Sequence, residues 1–204
     1  MATAPLLIDQ DEYKAIKSIN STTSDSVLEE ICDGVSQLVK TYCNNSFVDY
    51  FTVNKVEPFT LPYQTHLLQL TESPVRTITL VQERASIGGT YTSLTAADYV
   101  LDSTTDTLYR IQSGNYKNWA MGPAAVQVSY KAGYDADPVA SVTPLPKDLR
   151  LAVVDLVTYY FKDQTKSRQT MAGASIQNET STSQRNNVSF PDHIKRILDL
   201  YKNY

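Results

Sequence analysis

The stretch AVQVSYKAGY, residues 125–134, is followed by LPKDLRLAV, residues 145–153, and the change of pattern between them decides the fold class. In the first, Val126, Val128 and Tyr130 alternate with Gln127 and Ser129, the period of two that marks a strand with one buried face. In the second, Leu149, Ala152 and Val153, continuing to Leu156, Val157, Tyr160 and Phe161, recur at three and four residues, the period of a helix with one buried stripe. Pro144 and Pro146 punctuate the switch, and Pro146 or Lys147 opens the helix.

Upstream of this point the strand pattern persists from about residue 47. Short runs rich in Val, Ile, Thr, Tyr and Phe are separated by Pro, Gly, Asn, Asp and Ser, as in antiparallel sheets. The pattern predicts strands at Tyr50–Lys55, Val75–Gln82, Tyr99–Asp102, Thr107–Ile111 and Ala125–Lys131. The turn chemistry between Asp102 and Thr107 predicts that the third and fourth pair as a hairpin, and Gly88-Gly89 reads as another hairpin turn. Trp119, with Met121 beside it, is expected to plug the core beneath the sheet.

The chain is helical on either side. Asp9 caps a short helix, with Glu12 three residues on as a capping-box partner. Ser24 caps a longer helix to about Cys43, whose stripe comprises Leu28, Ile31, Val35, Leu38, Val39 and Tyr42. Gly34 inside it costs about 1 kcal/mol relative to Ala, either as a tolerated defect or to let a neighbouring helix approach. The stretch 163–189 holds Met171, Ile176 and Val188 as its large apolar residues and is expected to be mobile alone. Pro191 starts a last helix with Ile194, Ile197, Leu198 and Tyr201 on one side.

The expected architecture is therefore α+β. A small helical bundle is formed by the N- and C-terminal helices, residues 1–46 and 145–204, with an antiparallel β-rich insertion at 47–144, because strands and helices segregate along the chain. The nine residues expected to pack the helices are Leu28, Ile31, Val35, Leu38, Leu149, Val153, Leu156, Val157 and Tyr160.

Composition excludes several functional classes. Among 204 residues, 42% are hydrophobic and 20% charged, with a net charge of −4, which supports a packed core and argues against a general nucleic-acid binder. No apolar run approaches the roughly 20 residues of a membrane span, and no secretory signal is evident at the N-terminus. Cys32 and Cys43 stand about 16 Å apart along one helix and are expected to be buried free thiols. Charge is unevenly spread: residues 1–50 carry −5, residues 145–204 carry +3 and the remainder −2. This asymmetry reads either as ordinary solvated surfaces or as complementary ends suited to head-to-tail contacts between copies that close into a ring.

Catalytic chemistry finds no foothold. The two histidines, His66 and His193, have no neighbour in sequence that would orient them as a base. No Cys or His cluster has metal spacing, and Asp135 with Asp137 lacks the further oxygen ligands of a cation loop. Glu29 with Glu30, and Asp102 with Asp106, read as solvated faces. Neither a catalytic site nor a cofactor or metal is expected.

The order of elements resembles a known family. The opening IDQDEYKAIK (8–17), SDSVLEEICD (24–33), YCNNSF (42–47), VSYKAGY (128–134), LPKDLRLAV (145–153) and FPDHIKRILDLY (190–201) resemble the head–tail connector proteins of tailed bacteriophages, also called adaptor or head-completion proteins. The resemblance implies a virion structural protein and no enzyme. It implies a ring, commonly a dodecamer, beneath the portal, which extends the channel for double-stranded DNA without sequence-specific binding and docks the tail or a stopper protein. On this reading the partners are other copies of the chain, the portal and a tail-side protein, with no membrane. The segment 163–189 and the last helix, through Phe190, Ile194, Ile197, Leu198, Tyr201 and Tyr204, are the residues expected to contact the portal. The alternatives are a stopper or tail-completion subunit, a carbohydrate- or protein-binding β-module with Tyr91, Tyr99, Tyr109, Tyr116 and Trp119 as its platform, and a small hydrolase using His66 or His193.

Overall fold

The computed structural model of the protein describes residues 5–136, 143–162, 168–171, 174–177 and 190–203. In chain order the elements are α1 (Gln10–Lys17), α2 (Asp25–Cys43), β1 (Lys55–Leu61), β2 (Leu67–Gln69), β3 (Val75–Glu83), β4 (Thr92–Ser93), β5 (Tyr99–Asp102), β6 (Thr107–Gln112), β7 (Asn115–Tyr116), β8 (Gly122–Ala132), α3 (Lys147–Phe161), β9 (Arg168–Met171), β10 (Ala174–Gln177) and α4 (Asp192–Asp199). Contacts divide them into two units, residues 1–45 with 136–204, and residues 46–135. The four α-helices all belong to the first unit and the two larger antiparallel sheets to the second, so the α+β class holds.

In the first unit, α1 begins where the Asp9 carboxylate accepts from the Glu12 N–H at 2.7 Å. The reciprocal half of the expected capping box is absent. The Glu12 carboxylate instead pairs with Arg150 on α3, and a charged partner outcompetes a neutral backbone N–H. Ser24 takes the N-cap position of α2 without a side-chain cap bond. Asp25 in that first turn pairs with Lys14 at 2.7 Å and ties α2 to α1. Both helices end on a left-handed residue, Ser18 and Asn44.

The core of this unit joins Leu28, Cys32, Val35, Val39 and Cys43 of α2 to Leu149, Ala152, Val153, Leu156 and Val157 of α3, all buried. Of the nine expected core positions, Leu28, Val35, Leu149, Val153, Leu156 and Val157 are buried. Ile31, Leu38 and Tyr160 are only half-buried, because the inward side of α2 is rotated toward Cys32, Ser36 and Cys43. Cys32 and Cys43 are free and buried. Within the stretch 163–189, β9 and β10 pair antiparallel, Met171 opposite Ala174 and Arg168 opposite Gln177. Backbone groups make that ladder whatever the side-chain polarity. The rest of the stretch lies outside the described residues.

The second unit contains two antiparallel sheets, ordered β1-β8-β3-β4 and β2-β6-β5, with β7 paired to β6. Strand β8 alternates as expected, with Val126, Val128, Tyr130 and Ala132 buried and the residues between them partly exposed. Its inward side chains meet Leu68, Leu70, Val75, Val81, Leu108 and Trp119 in one core. The β5–β6 hairpin forms with Asp102 opposite Thr107. Met121, expected beside Trp119 in the core, is 52% exposed, whereas Trp119 is 2% exposed.

The expected strand at Tyr50–Lys55 does not form. Residues 48–53 are turn and bend, and pairing starts at Lys55. The aromatic residues there are used locally: the Arg76 guanidinium lies 3.9 Å over the Phe51 ring and donates to its carbonyl. Pro58 within β1 is compatible with pairing because β1 is an edge strand. Gly133, at φ +90°, donates to the Pro74 carbonyl. A Cβ there would lie 2.0 Å from the Phe47 carbonyl oxygen, so the close approach admits no side chain.

Candidate functional site

The residues expected to meet a partner lie on α4, and most face inward. Phe190 and Ile194 are 1% exposed and Leu198 is buried completely, while Ile197 and Tyr201 are half-buried. Tyr204 lies outside the described residues. An eight-residue helix is marginal by itself, so packing must hold it. The Phe190 ring meets the Tyr42 ring edge-on at 5.0 Å, and the Tyr42 hydroxyl donates to Asp199. The Tyr201 hydroxyl donates to Asp148 at 2.6 Å, and the Asn203 N–H donates to the Cys43 carbonyl at 2.8 Å. In this packing Phe190, Ile194 and Leu198 fasten α4 to its own bundle. Their apolar spacing is the same whether the stripe meets a partner or the chain itself.

The outward side of α4 is different. Asp192, His193, Arg196, Asp199 and Leu200 are exposed, and Leu200 is 77% so. His193 thus sits on a solvated helix face. Asp148 is held below the usual carboxylate range, first by the Tyr201 hydroxyl.

An apolar depression of the helical unit lies between α2 and α3. Ile31, Gly34, Val35 and Leu38 line it with Tyr160, around a volume of about 330 Å³. Nothing lies within 4 Å of where a Gly34 side chain would begin. Intramolecular helix approach therefore does not explain this glycine. The groove was hidden in the sequence because its walls carry the same periodicity as the core.

In the second unit, the platform proposed from sequence divides. Trp119 is buried, with Arg110 over its ring, Tyr99 packs against the core, and the Tyr91 hydroxyl donates to the Ala124 carbonyl. Tyr109 and Tyr116 remain together on the outward side of the β2-β6-β5 sheet, joined by His66, whose ring lies 4.7 Å from Tyr116 and 6.1 Å from Tyr109. With Val100 and Ile111 they line a depression of about 440 Å³. His66 is surrounded by rings and has no carboxylate against it among its described contacts. Sequence order alone did not single out His66 as a member of this cluster, since the pairing of β6 with β2 and β7 brings it there.

Asp98 and Asp102 are held below the usual range by hydrogen bonds from Thr95 and from the Thr104 N–H respectively. Both bonds belong to turn geometry. Among the described residues no three His, Cys, Asp or Glu side chains gather to hold a metal. No described helix is long and apolar enough to cross a membrane.

Comparison with known proteins gives the arrangement its context. The fold is similar to a chain in the neck of an empty GTA particle computed with C6 symmetry, at 16% identity and TM-score 0.62, covering 100% of this chain and 94% of that one. It is similar to a chain in the neck of a native GTA particle computed with C12 symmetry, at 16% identity and TM-score 0.54, covering 88% and 84%. A chain in the virion of a native gene transfer agent particle matches at 17% identity and TM-score 0.55, covering 91% and 81%. No curated protein matches the chain. A family model, the head completion protein, matches residues 6–204. With its helical unit, its β unit and nearly its whole length accounted for, this chain belongs to the head completion protein family.

Proposed function

We propose that this chain is a head-to-tail adaptor of a tailed phage or phage-like particle, assembling as a ring, a dodecamer in the first instance, beneath the portal. The observation that carries the reading is the family match over residues 6–204. Fold similarity to neck proteins of symmetric particles supports it. The ring extends the DNA exit channel, and a net charge of −4 lets double-stranded DNA pass without being held. The work is done by surfaces, with no bond made or broken.

Because Phe190, Ile194 and Leu198 are spent within their own bundle, portal contact falls to other surfaces of the chain. The outward cluster of Tyr109, Tyr116 and His66 is the proposed docking face for the tail-side or stopper protein. It combines exposed apolar area with aromatic anchors, which dominate interface energetics.

The test is reconstitution. The full chain is mixed with portal rings of its own phage and imaged by electron microscopy. The expected result is a symmetric collar on the tail-facing side of the portal. A chain that stays monomeric and leaves the portal bare would defeat the proposal, and binding of the chain to a glycan array instead would favour the carbohydrate-binding alternative.

A further inference from the structure

The helical unit carries an apolar groove and, elsewhere on its surface, an apolar knob, and neither occupies the other in the single chain. On the groove side, Val27, Ile31, Gly34 and Leu38 follow one stripe of α2, and Val27 is 55% exposed. A helix stripe of this kind left in water is an unpartnered surface. Glu30 stands next to Gly34 around the helix, with Asp33 beyond it. Both are exposed and make no ion pair with any described residue. On the knob side, His193, Arg196 and Leu200 share the outward face of α4 at three- and four-residue spacing. Arg196 likewise makes no ion pair with a described residue, and Leu200, at 77%, is the most exposed large hydrophobic among the described residues of the helical unit.

We propose that the groove of one copy receives Leu200 of the next copy, with Arg196 of that copy set against Glu30. The inference rests on the ring reading above and names the contact that closes the ring. Charge complementarity favours this occupant, because the groove has an acidic rim and Leu200, the most exposed of the helical unit's described large apolar side chains, carries Arg196 one turn before it. No atom lies within 4 Å of where a Gly34 side chain would begin, and that open space leaves room for a knob. Knob and groove are different patches of the same unit, so the contact is head-to-tail, and a head-to-tail contact repeated through a constant rotation closes a ring. The contact cannot be made in cis while α4 stays fastened by the Tyr201–Asp148 and Asn203–Cys43 hydrogen bonds, which keep Leu200 in solvent.

The experiment uses the full chain with its portal. Gly34→Cys and Leu200→Cys are combined, assembled, and treated with a short bis-maleimide. Cys32 and Cys43 are buried, which raises their thiols to about 11 and about 12 and keeps them silent. The expected result is a ladder of covalent oligomers from the double variant and none from either single variant. In parallel, Glu30→Lys or Arg196→Glu alone lowers ring yield by about tenfold, and the two together restore it to within about threefold of wild type. Rings that form, by native mass measurement, without a 34–200 crosslink and without charge-swap rescue overturn the inference and leave the adaptor reading standing. A crosslink from Gly34→Cys to Ile87→Cys, at the exposed β3–β4 turn, would hand the groove to that turn and also overturn it. If the wild-type chain forms no ring on its portal, both readings fall together.

Discussion

The Tyr201 hydroxyl donates to the Asp148 carboxylate at 2.6 Å and thereby fastens the C-terminal end of α4 to the first turn of α3, 53 residues earlier in the chain. The bond holds Asp148 below its ordinary value of about 3.8. A carboxylate lowered on folding contributes stability above its ordinary value and loses it as pH falls through the folded value. The advantage of wild type over Tyr201→Phe in denaturant unfolding is therefore expected near neutral pH and should vanish in acid. A difference between the two that is constant from neutral to strongly acid conditions contradicts this account.

Release of α4 has a second readout. The Cys43 thiol donates to the Leu198 carbonyl at 3.5 Å and is shielded by α4, whereas Cys32 lies three turns earlier on α2. Burial pushes the Cys43 thiol up to about 12, so the reactive thiolate is scarce at mild pH while the helix is docked. Tyr201→Phe should accelerate alkylation of Cys43 more than that of Cys32, followed by mass spectrometry against time. Equal acceleration of both would mean that the bundle opens as a whole.

Gly34→Ala should stabilise the free chain by up to about 1 kcal/mol, because a helix-interior glycine gains that much from a methyl group and the space beside it is open. Thermal unfolding of the free chain measures this. A loss of stability would show that the open space is filled in solution.

Gly133→Ala is expected to do the reverse. Its φ of +90° disfavours any side chain, and the added Cβ would sit 2.0 Å from the backbone oxygen of Phe47, which cannot swing aside. A loss of at least about 2–3 kcal/mol follows. Soluble expression with an unchanged midpoint would refute it.

Arg110 is 4% exposed and meets Glu83, the Asp98 carboxylate and the carbonyls of Asp98 and Ile111. Arg110→Ala removes the cation and leaves Glu83 partly buried beside Trp119 without its counter-charge. A loss of about 3–5 kcal/mol is expected, as for other broken buried pairs. Glu83→Gln in that background should recover part of it. Absence of any recovery would show that the guanidinium acts through packing over the indole alone.

Much of the fold was legible along the chain. The alternation of Val126, Val128 and Tyr130 and the three-and-four spacing from Leu149 to Tyr160 placed β8 and α3 within a few residues, because each pattern reports its own burial. Three features were not legible. The strand expected at Tyr50–Lys55 failed because Phe51 found Arg76, 25 residues away, and a stacked side chain replaced a ladder. The aromatic cluster needed His66, which only strand pairing brings beside Tyr109 and Tyr116. The inward turn of Phe190, Ile194 and Leu198 depended on whether their stripe had a place in its own bundle.

What the sequence determined by itself was the alternation of helical and strand segments along the chain and the order of motifs that the family match bears out. These are properties of neighbouring residues, read at periods of two and of three to four. What only the tertiary structure decided was which apolar side chains are already satisfied. Ile31, Leu38 and Leu200 look no different in sequence from Val35, Val39 and Leu198, yet the former remain wholly or partly in water and the latter are buried. The reason is physical: periodicity states that a helix has an apolar side, but the rotation of that side against α3 and α4 is set by the summed packing of residues more than a hundred positions apart.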